Sequence, residues 1–130
     1  MVVDLHCDAL LGGRDLLAHS VDGHVDVPRL LEGGVALTVF TIVTQFPWLV
    51  QPEGIREHTG WPDAIASIAL AQRWPPATWG SVLQRALHQA RTMRGFVDRS
   101  GGRLVLVTSR QGLARYRDER QRRCGARGRC

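Results

Sequence analysis

The sequence predicts an α/β fold around a parallel sheet. Short β-branched runs alternate with capped or amphipathic helical segments, and Gly-Gly or Pro-Pro pairs punctuate the joins. The densest strand run, Val35 to Thr44, is free of charge, as expected of a strand covered on both faces.

The elements follow in order. Met1 to Leu5 reads as a short strand ending at the polar group His6-Cys7-Asp8, after which Gly12-Gly13 breaks the chain. Asp26 and Pro28 open a short helix through Leu30, Leu31 and Glu32, and Gly33-Gly34 stops it. Val35 to Thr44 is the second strand. Gln45 to Gly60 mixes Pro, Trp, Gly and charge without period and reads as loop.

Pro62 and Asp63 open an Ala/Ile/Leu-rich helix to about Trp74. The strongest helix runs from Ser81 to about Asp98: Ser81 and Gln84 have capping-box spacing, and Val82, Ala86, Ala90, Met93 and Val97 form an apolar stripe that Leu83 and Leu87 widen. Gly101-Gly102 ends it. Arg103 to Ser109 predicts a third strand, and Gln111 to Glu119 a further helix. Three strands with one long loop are too few to close a barrel, so the α/β unit is expected to be incomplete.

At 130 residues, 44% hydrophobic and 22% charged, the chain has the size and composition of one folded domain. The net charge of +5 is unevenly placed: residues 1–114 are balanced, and the excess comes from Arg115, Arg117, Arg120, Arg122, Arg123, Arg127 and Arg129 against Asp118 and Glu119. Every basic residue is Arg, a bias that fits GC-rich coding. With no aromatic residues interleaved at its end, the tail reads as a solvated, disordered segment and not as a nucleic-acid arm. Cys7, Cys124 and Cys130 lack paired zinc-finger spacing and form no disulfide framework. No leader and no apolar run of about 20 residues is present, so a cytoplasmic protein without a membrane span is expected.

The residues that carry chemistry are His6 and Asp8. Alternate residues of a strand share a face, so an imidazole nitrogen and a carboxylate oxygen point the same way where strand gives way to loop. Zinc accepts that pair, and bound zinc lowers the pKa of water toward neutrality. Two ligands alone bind weakly, because a catalytic zinc normally has three from the protein.

The surrounding residues make this pattern specific. Val2-Val3-Asp4-Leu5-His6-Cys7-Asp8 is similar to the D-x-H-x-D opening of the membrane (renal) dipeptidase family, in the amidohydrolase superfamily. The run from Gly23-His24-Val25-Asp26-Val27-Pro28-Arg29-Leu30 to Val35 resembles that family's H-[VTN]-[DN]-[LI]-P-[RK]-L-x-x-G-x-V block. The Trp79 to Ala90 helix and Gly102 to Ser109 also resemble its segment before the third barrel strand, so the likeness spans residues 2–119.

The resemblance implies the first strands and helices of a (β/α)₈ TIM barrel, here residues 1–114. It further implies a two-zinc centre that hydrolyses a dipeptide bond, with His6 and Asp8 as ligands of one zinc and a homodimer when complete. The family's bridging Glu, the two His ligands of its other zinc and its late-barrel Asp have no counterpart among these residues. A chain inactive on its own is therefore expected, with residues 115–130 the product of a frameshifted or prematurely ended reading frame. Related hydrolases that open with H-x-H are disfavoured by the H-x-D here. The rival readings are a non-catalytic fragment or pseudogene product, and a small basic nucleic-acid-binding module.

Other candidates have plainer readings. His24 and Asp26 repeat the H-x-D spacing, but Asp26 before Pro28 is where a helix cap belongs. Cys7 alternates to the opposite face and reads as a buried, inert thiol. His19, His58 and His88 read as surface or helix-face residues, and Trp48, Trp61, Trp74 and Trp79 as packing of a loop lid.

Overall fold

The β-branched runs Val-Val-Asp-Leu-His-Cys and Val-Ala-Leu-Thr-Val-Phe pair as a two-stranded parallel sheet, β1 (Val2–Cys7) with β2 (Val35–Phe40). The Val2 N–H reaches the Gly34 carbonyl at 3.4 Å and the Thr41 N–H reaches the Cys7 carbonyl at 2.9 Å, which fixes the register at both ends. This computed structural model describes residues 2–45 and 63–127, with side chains as far as Arg123. Among the described residues the α-helices are α1 (Val27–Glu32), α2 (Ala64–Ala71), α3 (Val82–Arg99) and α4 (Arg110–Arg127). No helix among the described residues is long and apolar enough to cross a membrane.

Each helix starts on a short polar side chain that accepts an otherwise orphaned backbone N–H. Asp26 takes the Arg29 N–H at 2.9 Å, Asp63 that of Ile65 at 3.0 Å, Ser81 that of Gln84 at 3.3 Å and Ser109 that of Gly112 at 3.0 Å. Such a cap is worth about 1 kcal/mol. Gly34 follows α1 with φ +65°, and Gly101 and Gly102 follow α3 at +61° and +81°. These left-handed positions are open to glycine at little steric cost.

The chain divides into two compact units, Met1–Leu5 with Asp15–Val39 and Arg94–Cys130, and His6–Arg14 with Phe40–Met93. The first buries Leu16, Val27 and Phe96, together with Asp26 and Ser100. The second buries Cys7, Leu10, Ile65, Ala69 and Trp74, together with Thr78, Arg85 and Gln89. Full burial of a side chain such as Ile65 stabilises by about 1.5–3 kcal/mol. Among the described residues no buried side-chain nitrogen or oxygen lacks a partner.

Expectations for two of the strands are corrected. Arg103 to Ser109 is not a strand: residues 104–108 are irregular, and Val105 is 67% exposed. A strand exists only through its ladder, and among the described residues the sheet consists of β1 and β2. The second strand stops at Phe40, four residues early, and it is not covered on both faces, since Val39 and the following Ile42 are exposed. Further along the chain, α4 continues to Arg127. Arg, Gln, Glu and Ala are all good helix formers, a local preference that the absence of an apolar period does not remove.

The face that α3 buries also differs from the predicted stripe. Val82, Leu83 and Leu87 are exposed, while Arg85, Gln89 and Phe96 are buried. The polar pair turns inward because backbone carbonyls there need donors. Arg85 Nε donates to the Thr78 carbonyl at 2.7 Å, and its two terminal nitrogens donate to the carbonyls of Thr44 at 2.8 Å and Trp79 at 2.6 Å. Gln89 completes the clamp, donating to the Val43 carbonyl at 2.8 Å and accepting the Val43 N–H at 3.2 Å. Leaving those groups unpaired would cost more than burying hydrocarbon returns.

Candidate metal centre

β1 ends at Cys7, and its pleat sends Cys7 inward and its neighbours outward. Cys7 is 5% exposed, whereas the side chains of His6 and Asp8 are 73% and 52% exposed. The Nε2 atom of His6 lies 3.3 Å from Oδ1 of Asp8. Two ligand atoms bonded to one tetrahedral zinc, each at about 2.0–2.2 Å, stand about 3.4 Å apart. The nitrogen–oxygen separation therefore suits one shared cation, and the donor set is of the kind zinc takes.

The backbone and a neighbouring side chain hold Asp8. Its carbonyl accepts the Leu11 N–H at 2.9 Å, opening the 3-10 turn Ala9–Gly12. Thr41, the residue after β2, donates its hydroxyl to Asp8 Oδ1 and lies 3.2 Å from the Cys7 carbonyl. The Thr41 hydroxyl holds the Asp8 carboxyl below its ordinary value against the opposing effect of burial, and His6 adds to the lowering. An anionic carboxylate next to an exposed imidazole is thus the resting state at neutral pH.

The second H-x-D pair is spent on structure. Asp26 is 1% exposed, caps α1, accepts the Ser20 N–H at 3.4 Å and pairs with the Arg29 guanidinium, whose Nη2 donates to the Ser20 carbonyl at 2.8 Å. Burial alone would raise its pKa, but those N–H groups and the guanidinium outweigh it and hold the carboxyl below the ordinary range. His24 and His19 are exposed.

No protein-family model, curated protein or solved structure matches the chain. Among the described residues no group of three or more His, Cys, Asp or Glu side chains is placed to hold a metal, so no third such side chain joins His6 and Asp8.

Of the remaining candidates, His88 is half-buried on α3 with its ring 4.6 Å from that of Trp74. Burial lowers its pKa, and Arg91 lowers it further. Trp74 is a core residue at 4% exposure, with Nε1 bonded to Gln72 at 3.0 Å, while Trp79 is 40% exposed and donates to the Trp74 carbonyl at 3.0 Å. His58, Trp48 and Trp61 lie outside the described residues, as do the side chains of Cys124 and Cys130. Sequence reasoning did not single out Thr41. Its signal is register, because a parallel partner sets the residue after one strand beside the residue after the other.

Proposed function

We propose that this chain carries part of the metal site of a zinc-dependent dipeptidase, with His6 and Asp8 as two ligands of one zinc. The observation that supports it is the 3.3 Å approach of an exposed imidazole nitrogen to an exposed carboxylate oxygen at the end of β1. The resemblance of residues 2–119 to membrane dipeptidases supplies the substrate class, a dipeptide, and the architecture, the opening part of a (β/α)₈ barrel. Strand ends are where such barrels keep their catalytic groups.

In that role His6 offers a neutral nitrogen lone pair, and Asp8 offers the negative charge that offsets part of the cation's. Thr41 orients the carboxylate as an outer partner, which limits the geometries the metal must select among. Bound zinc supplies a water acidic enough to serve as hydroxide near neutral pH. Further ligands must come from outside the described residues, since a catalytic zinc needs at least three.

Zinc titration of the chain against a chromophoric chelator tests the ligand assignment. Weak binding, lost on His6→Ala and on Asp8→Ala but kept on His24→Ala, is expected. Equal zinc affinity in all three variants would overturn it. No dipeptide hydrolysis above the His6→Ala control is expected from these 130 residues alone.

A further inference from the structure

A second site, within the first unit, involves neither His6 nor Asp8. Val3 of β1, Ala36 and Leu37 of β2, and Leu113 and Ala114 of α4 form the apolar floor of an open cavity of about 300 Å³. That volume is at the lower end of the range for small-molecule sites. Its rim is cationic: Arg110, Arg117 and Arg120 line it, and none of the described lining residues is acidic. Helical spacing brings the rim and floor residues of α4 to one side, since Arg110, Leu113, Ala114 and Arg117 follow at steps of three and four.

One guanidinium is held in position. Tyr116 donates its hydroxyl to the Ala36 carbonyl, and Arg120 Nη1 lies 3.4 Å from the same phenolic oxygen. Arg117 is drawn instead toward its neighbour Asp118 at 3.7 Å. A floor of hydrocarbon with one oriented guanidinium at its edge matches a chain that is apolar along its body and carries a single charge at its end. Arginine presents a planar fork to a carboxylate, and its stem packs on alkyl groups.

We infer that this cavity binds a free medium-chain alkyl carboxylate, with the hydrocarbon on Val3, Leu37 and Leu113 and the head group on Arg120. An uncharged chain of the same length would be a weaker ligand, because it forgoes the charge-assisted hydrogen bond to the guanidinium.

The test uses the full chain and the ring resonances of Tyr116, which is its one tyrosine. Dodecanoate below its micellar concentration is expected to shift them saturably. Acetate and dodecanol are expected to bind about tenfold or more weakly, as loss of the chain or of a charge-assisted hydrogen bond predicts. Leu113→Trp, which fills the floor, should abolish the shift at unchanged circular dichroism, and Arg120→Gln should weaken it. Three results would overturn the assignment, and none depends on a variant folding. They are dodecanol binding as tightly as dodecanoate, inorganic phosphate giving the same shift as dodecanoate, or a response to phosphatidylglycerol vesicles with none to monomeric dodecanoate.

Discussion

The guanidinium of Arg85 on α3 is paired with the carboxylate of Asp63, the N-cap of α2, 22 residues earlier in the chain. The arginine is 3% exposed, and three of its remaining donors go to the carbonyls of Thr44, Thr78 and Trp79. One side chain thereby joins a helix start, the segment after β2 and the turn before α3. A planar fork with five N–H donors can do this, and an ammonium cannot.

Arg85→Met is accordingly expected to destabilise the protein by about 3 kcal/mol or more, since it leaves a carboxylate and three carbonyls without their donor. Arg85→Lys should recover less than half of that. Urea unfolding followed by tryptophan fluorescence measures both. A loss below about 1 kcal/mol for the Met variant would mean that water replaces the arginine freely.

Thr41→Val keeps the shape of the side chain and removes the hydroxyl that Asp8 receives. Zinc affinity is expected to fall about tenfold, within the range of outer-partner substitutions and by less than for Asp8→Ala. Chelator competition on the three proteins gives the order. If Thr41→Val binds zinc as well as the parent does, the hydroxyl is structural only.

Acid stability should report the buried cap. The Asp26 carboxyl titrates below its ordinary value of 3.8, and so does that of Asp15, held there by the Leu17 N–H and then by Arg99. Depressed folded-state values mean that the stabilisation is fully present above 3.8 and is lost as pH falls below that value and through the lower folded one. In that window the unfolded chain takes up protons that the native state refuses. Asp26→Asn preserves an acceptor at the cap but not the charge facing Arg29, so its urea midpoint should fall less steeply from pH 4 to pH 2. A slope equal to the parent's would assign the acid sensitivity elsewhere.

Gly13 has φ +60°, and a Cβ built on it would lie 2.7 Å from Oε1 of Gln72. That same oxygen accepts the indole N–H of Trp74. Gly13→Ala is expected to cost about 1–2 kcal/mol from the left-handed backbone alone. It should also displace Gln72, blue- or red-shifting the Trp74 emission. Thermal unfolding and fluorescence check the two effects separately, and an unchanged melting temperature would refute the first.

Much of this is legible in the sequence itself. The caps at Asp26, Asp63 and Ser81, the glycine stops, the two strands and the long helix are local features. Each depends on a few neighbouring residues and on backbone sterics that hold in any context. The outward pairing of His6 with Asp8 and the inward turn of Cys7 follow from the two-residue period of a strand, and Asp26 could be recognised as a cap from Pro28 two residues on.

Long-range partners decided the rest. Whether Leu104 to Val107 forms a strand depends on a neighbour to pair with, and no β-propensity supplies one. The choice between the Leu83/Leu87 face and the Arg85/Gln89 face of α3 was settled by carbonyls at Val43, Thr44, Thr78 and Trp79, which no window around the helix contains. Thr41 reaches Asp8 only because β1 and β2 share a register. Local sterics and periodicity are written within a few residues, whereas the need to satisfy a buried polar group arises from wherever the chain happens to bring its partner.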